Sequence, residues 1–328
     1  MSSSFYMTKI INFVTRKDNP SIIKVIGVGG AGRITVQHLY HEGKLNVTYL
    51  LCDTDKYLLM QSDIPEKLLL GKSFSDGISE SNDPWVAQEA AKESADDIKM
   101  ALDDGTKMVF VIAGMGGQTG AGAAPIIAGI AKEMGILTMG IVSIPFVFEG
   151  KHKILRALKD VEEMRKNVDS LLVINNERLN DIFYDLDLVE MFAKADEFIT
   201  NTVKSISEII TETGFIQLDF DDIRNILKDG GTAIVSSGLG EGENRVSKAI
   251  NNALFSPFLK NNDVFKAKKI LLQIAFSDIK PLLIKEIDEL NNFFGKFGAD
   301  IGLSWGTGQN PELEDKVKIT ILASGFTW

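Results

Sequence analysis

Apolar and polar positions along the chain fall into blocks whose period alternates between that of a strand and that of a helix. Ile22 to Val28 is a continuous β-branched run closed by glycines, which predicts a strand buried on both faces. Helical spacing follows from Gly32 to Tyr40, then a second strand from Val47 to Cys52. Pro84 opens a helix that reaches Leu102, with the proline in the first turn, where its missing N–H costs nothing. Met108 to Ala113 reads as a strand, Ala123 to Met134 as a helix, Ile136 to Ile144 as a strand, Lys151 to Val168 as a helix and Leu171 to Ile174 as a strand. This alternation predicts α/β architecture: a doubly wound parallel sheet with right-handed crossovers. Ligands on such sheets sit beyond the carboxyl ends of the strands.

The rhythm then changes. Leu188 to Ile210 is one helical stretch, well beyond the mean of ~11 residues. A loop from Thr211 to Asp222 leads to a helix ending at Leu227, a strand near Ala233 to Ser237, a helix from Glu243 to Leu254 and a strand from Lys268 to Ala275. A helix from Pro281 to Phe297 and closing strands at Ile301 to Trp305 and Val317 to Ala323 complete a smaller α+β part. The expected organisation is an arm over 1–20, a first domain over 21–186, a connecting helix over 187–212 and a second domain over 213–328.

Composition narrows the picture. The chain has 328 residues, 45% hydrophobic and 24% charged, which suits a globular protein of two unequal domains. Its net charge of −10 argues against nucleic acid as a partner, because phosphate neutralisation needs clustered Lys and Arg. The same charge opposes self-association unless cations screen it. The one cysteine, Cys52, excludes an internal disulfide and lies in an apolar run, where a buried, inert thiol is expected. With no secretory pattern at the N-terminus, this points to a reducing cytoplasm. No segment reaches the ~18 apolar residues of a membrane span, so direct membrane insertion is not expected. His38, His41 and His152 have no metal-ligand spacing with Cys52, and no metal site is expected.

The chemistry concentrates in two glycine clusters. Gly27, Gly29 and Gly32 fit G-x-G-x-x-G between a strand and a helix, a turn that lets backbone N–H groups approach phosphate. Alone this also suits an NAD-type dehydrogenase, with Asp53 as the ribose ligand. A second cluster, Ala113 to Gly122, again follows a strand and precedes a helix. Two such turns at one sheet edge can wrap a di- or triphosphate, and a dinucleotide fold does not need the second. Gly71-Lys72-Ser73 imitates the end of a P-loop, but Glu66 stands where its first glycine belongs.

Here a resemblance becomes clear. Met115 to Pro125 is similar to the tubulin signature G-G-G-T-G-[ST]-G. Around it lie GVGGAG, DTD at Asp53 to Asp55, PFVFEG at Pro145 to Gly150, INNERL at Ile174 to Leu179, LDFDD at Leu218 to Asp222 and SWGTG at Ser304 to Gly308. Order and spacing resemble the FtsZ family of tubulin-like cell-division GTPases, from Ile22 to Phe326. The resemblance implies a guanine-nucleotide domain over 21–186, joined by the long helix to the second domain. Gly29, Gly30, Gly116, Gly117, Thr119 and Gly120 are implied to cradle phosphates, and Ala31, Asp55 and Gln118 are implied among the nucleotide-binding residues. Glu149 and Lys153 fall to the ribose, Asn176 and Asp196 to the guanine edge, and Phe192 to the base face. Phe192 equally suits ordinary core packing, and Asp196 a solvated helix charge. The loop at 214–222 is implied to enter the next subunit's pocket, where Asp219, Asp222 and Gln217 act on the water attacking the γ-phosphate. Asp222 also suits an acidic helix start. Implied cofactors are GTP or GDP with Mg²⁺. Implied partners are further copies of itself, head to tail, and membrane-tethering division proteins at a cytoplasmic division site.

Several positions depart from the family pattern. Gln118 replaces a signature glycine, which costs energy if that position needs positive φ. Ala121 replaces a hydroxyl residue, Ile34 an Asn near the base, Lys153 an Arg and Gln217 an Asn; Asp221 stands for a usual Ala, and Ser79 and Ser81 for glycines of the γ-phosphate loop. These changes cluster at nucleotide-contacting positions, so a divergent member with slow hydrolysis is expected; the alternative is a filament or regulatory protein that binds GTP or GDP without useful turnover. The usual flexible tail with a partner-binding motif is not in this sequence, which runs to Trp328.

Overall fold

The computed structural model describes residues 21–43, 45–74, 83–183, 185–255, 264–298 and 300–326. The expected arm over 1–20 and the loop carrying Ser79 and Ser81 lie outside them. The first part runs β1 (Ile23–Val28), α1 (Gly29–Glu42), β2 (Thr48–Asp53), α2 (Lys56–Met60), β3 (Lys67–Leu69), α3 (Pro84–Glu93), α4 (Ala95–Leu102), β4 (Met108–Gly114), α5 (Thr119–Glu133), β5 (Leu137–Ile144), α6 (Lys151–Lys166), β6 (Ser170–Asn175) and α7 (Glu177–Ile182). Then come α8 (Leu188–Thr211), α9 (Phe220–Leu227), β7 (Gly231–Gly240), α10 (Arg245–Leu254), β8 (Lys269–Phe276), α11 (Ile284–Phe294), β9 (Gly302–Gln309) and β10 (Val317–Phe326).

The strands form one sheet in the order β3-β2-β1-β4-β5-β6-β7-β10-β8-β9. From β3 to β6 all pairings are parallel, and β1 and β4 are buried along nearly their whole length because helices cover both faces. Alternate residues serve opposite cores. Ile23 and Val25 join Val36 and Leu39 of α1 and Ile199, Val203 and Ile206 of α8 on one face. Ile26 and Val28 join α3, α4, α5 and α6 on the other. Cys52 is buried on that second face, and burial pushes its thiol pKa up, so it is a packing residue.

The second part has the expected four strands, β7, β8, β9 and β10, with α10 and α11 sharing a separate core. Its sheet continues the first one. β6 and β7 pair in parallel at only two positions, Ser170 with Gly231 and Leu171 with Thr232. The sequence pattern did not foretell this junction, because a two-residue pairing leaves no periodicity of its own.

Four boundaries differ from the sequence reading in ways that matter. α1 and α5 begin at Gly29 and Thr119, within the glycine clusters, not after them. Glycine carries no side chain to mark a periodic stripe, so the first turns were invisible. The helix expected over 84–102 breaks at Ser94, which is buried and accepts a hydrogen bond from Gly71 N through Oγ at 3.0 Å. α11 starts at Ile284, not Pro281, where Glu286 Oε2 accepts from Leu283 N while the same carboxylate is held by buried Arg245. Among the described residues no helix is long and apolar enough to cross a membrane.

Candidate functional site

β1 and β4 are neighbours in register, and each ends in a glycine turn that opens a helix. The chain departs from β1 toward β2 on one side and from β4 toward β5 on the other, so the gap between them is the topological switch point of the sheet. Gly29 adopts φ +70°, and a Cβ there would lie 2.9 Å from Gly120 N and 3.2 Å from the Thr119 Cβ. The two turns therefore touch. Thr54 Oγ1, just beyond β2, and Thr119 Oγ1 are 3.0 Å apart and share a hydrogen bond that ties the end of β2 to the second turn. Two helix N-termini thus converge on one rim, where unpaired N–H groups and helix dipoles favour an anion.

Above this rim is a cavity of about 450 Å³, within the usual size of a small-molecule site. Gly30, Ala31, Gly117, Gln118, Thr119 and Gly120 line its floor, Glu149 and Lys153 one wall, and Asn176, Phe192 and Asp196 another. Three of the nucleotide residues expected from the sequence lie elsewhere. Gly29 is buried beneath Gly30. Asp55 caps α2, accepting from Tyr57 N and Leu58 N at 2.8 and 3.2 Å. Gly116 donates its N–H to Asp160 Oδ2 at 2.9 Å, away from the cavity lining. The dehydrogenase reading loses its ribose ligand, because Asp53 is buried and does not line the cavity.

Gln118 has φ −90°, an ordinary conformation for any residue, so the side chain at this former glycine carries no strain of the kind anticipated. Glu149 Oε1 accepts from Phe146 N at 2.9 Å while Oε2 pairs with Lys153 Nζ at 2.6 Å. Lys153 thus keeps a cation at the wall without a guanidinium's planar fork. On α8, Phe192, Ala195, Asp196 and Ile199 follow i, i+3, i+4, i+7 spacing and present one stripe to the cavity. Thr35 Oγ1 donates to Asp196 Oδ1 at 2.5 Å, and His38 Nδ1 lies 3.4 Å from Oδ2. Burial raises the Asp196 pKa, and the Thr35 hydrogen bond and His38 oppose that rise. Phe146 stacks on Phe148 at 5.1 Å and meets Phe192 edge-on at 5.2 Å, leaving Phe192 exposed at the mouth.

Asn176 supplies the plainest sign of a ligand. It is buried at 6% exposure, lines the cavity, and its Oδ1 has no hydrogen-bond partner. An orphaned acceptor of this kind costs about 1–3 kcal/mol unless something satisfies it. Guanine offers N–H donors, the cavity offers Asn176 and Asp196 as acceptors, and the rim offers donors for phosphate. Sequence reasoning missed Thr35 and Asp160. A hydroxyl on the inward face of α1 was the available signal for Thr35; Asp160 gave none, since its contact depends on how α6 lies across the second turn.

Gln217, Asp219 and Asp222 do not line the cavity of their own chain. Asp219 is the N-cap of α9: its Oδ1 accepts from Asp221 N and Asp222 N, and Asp222 Oδ2 accepts from Asp219 N. This capping box uses one oxygen of each carboxylate. The adjoining loop is fastened to β9, with Thr307 N donating to Ile216 O at 2.8 Å and Gln309 N to Thr213 O at 2.8 Å. Phe215 at its tip is 83% exposed.

Residues 22–184 match the family described as Tubulin/FtsZ family, GTPase domain, and residues 231–327 match the FtsZ family, C-terminal domain. A Porphyromonas gingivalis protein named cell division protein FtsZ is 53% identical over 320 residues, covering 97% of this chain and 70% of that protein. The chain belongs to the FtsZ family. A further FtsZ relative, cell division protein FtsZ 1 of Thermococcus kodakarensis, is 38% identical over 305 residues, 93% of this chain and 81% of its own. A solved structure described as "FtsZ dimer, empty (M. jannaschii)" superimposes with a TM-score of 0.81 at 34% identity, covering 92% of this chain and 88% of that one.

At the base of α8 the chain carries a titratable group that couples the helix to the second part. Glu212 accepts from Gln273 Nε2 at 3.1 Å and Asn310 Nδ2 at 3.3 Å. Burial, then the neighbouring Glu208, raise its pKa to about 7. A raised acid favours the protonated form in the fold, so its contribution is complete below the ordinary glutamate pKa and is lost as pH rises through about 7. Glu212→Gln, with Gln273 turning its amide over to supply the missing acceptor, is expected to melt about 2–4 °C above the parent at pH 8 and level with it at pH 4.5. Thermal unfolding at the two pH values measures this; a variant that is less stable at pH 8 sinks it.

Proposed function

We propose that the chain binds GTP in the cavity at the β1–β4 switch point, stacks head to tail into filaments, and hydrolyses GTP where one subunit's acidic loop closes the next subunit's cavity. The observation that carries this reading is the orphaned Asn176 acceptor facing a rim of two helix N-termini: acceptors at one end for guanine, donors at the other for phosphate. In this reading Asp196 joins Asn176 at the guanine edge, Phe192 covers the base, and Glu149 and Lys153 take the ribose. Gly30, Gly117, Thr119 and Gly120 hold the phosphates. The chain divides into a nucleotide domain over 21–186, the connecting helix over 187–212 and a second domain over 213–328, whose loop at 214–222 completes the neighbour's site.

Hydrolysis adds water to the γ-phosphorus and breaks its bond to the β–γ bridging oxygen, giving GDP and phosphate. The capping box leaves a second oxygen on Asp219 and on Asp222 to accept hydrogen bonds from that water, with Gln217 beside them. Mg²⁺, if bound together with the nucleotide, would supply charge neutralisation there. Ile34, Lys153 and Gln217 stand at nucleotide-side positions where the family pattern differs, which makes slow turnover the expectation. The filament serves cytoplasmic division, with recruitment through membrane-tethering partners. Because the site is shared, turnover per subunit should climb steeply with protein concentration above an assembly threshold. A phosphate-release assay across a concentration series tests this, and a rate per subunit independent of concentration overturns it.

A further inference from the structure

The second glycine turn is held from behind. Gly116 adopts φ +81°, and its N–H points to α6, donating to Asp160 Oδ2 at 2.9 Å. A Cβ on Gly116 would lie 2.7 Å from Lys153 O and 3.3 Å from the Ala157 Cβ. Positions 153, 157 and 160 follow i, i+4, i+7 spacing, so one face of α6 forms the seat of this residue. On the other side Met115 N donates to Ser143 O at 2.9 Å. The turn is thus clamped between β5 and α6 immediately before Gly117 to Gly120, the residues that line the cavity floor.

We propose that Asp160 is a positioning residue for phosphate binding: by accepting the Gly116 N–H it fixes the turn so that the following N–H groups aim into the cavity. The inference rests on the nucleotide reading given above. Gly116 is not itself a phosphate donor in this arrangement; its N–H is spent on orientation. A donor array held in place before the ligand arrives avoids the ordering cost of binding, and a turn free to rotate about Gly116 bears that cost for each nucleotide. Asp160 also sets a carboxylate near a polyphosphate site, an arrangement that repels the ligand unless the positioning gain is larger. The two effects have opposite signs on removal of the side chain, which makes the assignment testable.

The experiment measures affinity for a fluorescent GDP analogue and for guanosine, below the assembly threshold, in the parent chain, Asp160→Asn and Asp160→Ala. Asparagine keeps an acceptor for Gly116 and removes the charge. It should bind GDP within about threefold of the parent or slightly better, whereas alanine should bind GDP about tenfold more weakly. Guanosine, which lacks phosphates, should bind all three alike. Melting without nucleotide checks the fold, and Asp160→Ser replaces alanine if alanine does not fold. An alanine variant that binds GDP as well as the parent overturns the role of Asp160. So does an asparagine variant as weak as alanine, or an equal loss for guanosine and GDP, which marks a general structural effect. A parent chain that binds neither ligand overturns the nucleotide reading itself, and this inference with it.

Discussion

Asp219→Asn and Asp222→Asn are each expected to lower GTP turnover at saturating protein by about 100-fold or more, the usual contribution of a water-orienting group, while monomer affinity for GDP stays within about threefold. Asparagine is the right replacement because both residues hold the start of α9. Asp219 is its N-cap and Asp222 returns the bond to the Asp219 N–H. Alanine would cost about 0.5–2 kcal/mol of helix stability and blur the result, whereas Asn keeps an acceptor for the box and removes only the charge. Neither residue touches the cavity of its own chain, so binding to an isolated subunit has no reason to change. The shared site gives a sharper version. At a GTP concentration too low to load Asp196→Asn subunits, these still offer an intact acidic loop to the loaded pockets of Asp222→Asn subunits. Turnover of the mixture should then exceed the sum of the two alone. A mixture that shows no gain places hydrolysis within one chain and sinks the head-to-tail arrangement of the site.

Asp196→Asn carries the second large effect. The carboxylate is fixed by Thr35 and faced by His38, so it meets a ligand already oriented. Two acceptor oxygens suit the paired N1–H and N2–H donors of guanine; an amide offers one acceptor and presents an N–H₂ to a donor. GDP affinity should fall about 10–100-fold, the worth of a good bidentate base contact. Inosine diphosphate lacks the N2 amine, so the parent should prefer GDP to it, and the variant should treat the two nearly alike. Equal preference in parent and variant would remove Asp196 from the base-reading role. Asn176 would then be the remaining acceptor at that end of the cavity.

The strands of the first part were plain in the sequence because buried parallel strands need continuous apolar runs, and Ile22 to Val28 and Met108 to Ala113 are such runs. The glycine turns were equally plain, since each closes one of those strands. What the pattern hid falls into two kinds. Short elements such as α2 and β3 offer too few residues to show a period. Contacts made by folding leave no local mark: Thr35 reaches Asp196 across 161 positions and Asp160 reaches Gly116 across 44. Gln118 shows the reverse error. Its side chain suggested strain because a glycine is usual there, yet the turn places positive φ at Gly116 and leaves 118 in an ordinary region. The acidic loop was legible as a motif, but the role proposed for it concerns a partner's cavity, which one chain cannot display.

Among the described residues the sheet is ten strands wide and narrows at its middle to the two-residue pairing of β6 with β7. A plate joined by so short a seam has its lowest bending stiffness there. The 24-residue α8 lies across both halves like a splint, with Ile199 and Val203 in the first core and Ser205 hydrogen-bonded to Ser237 of β7. Flexing at the seam therefore loads this rod along its length. The Phe192–Asp196 stripe and the stapled loop thus belong to opposite ends of one uninterrupted rod.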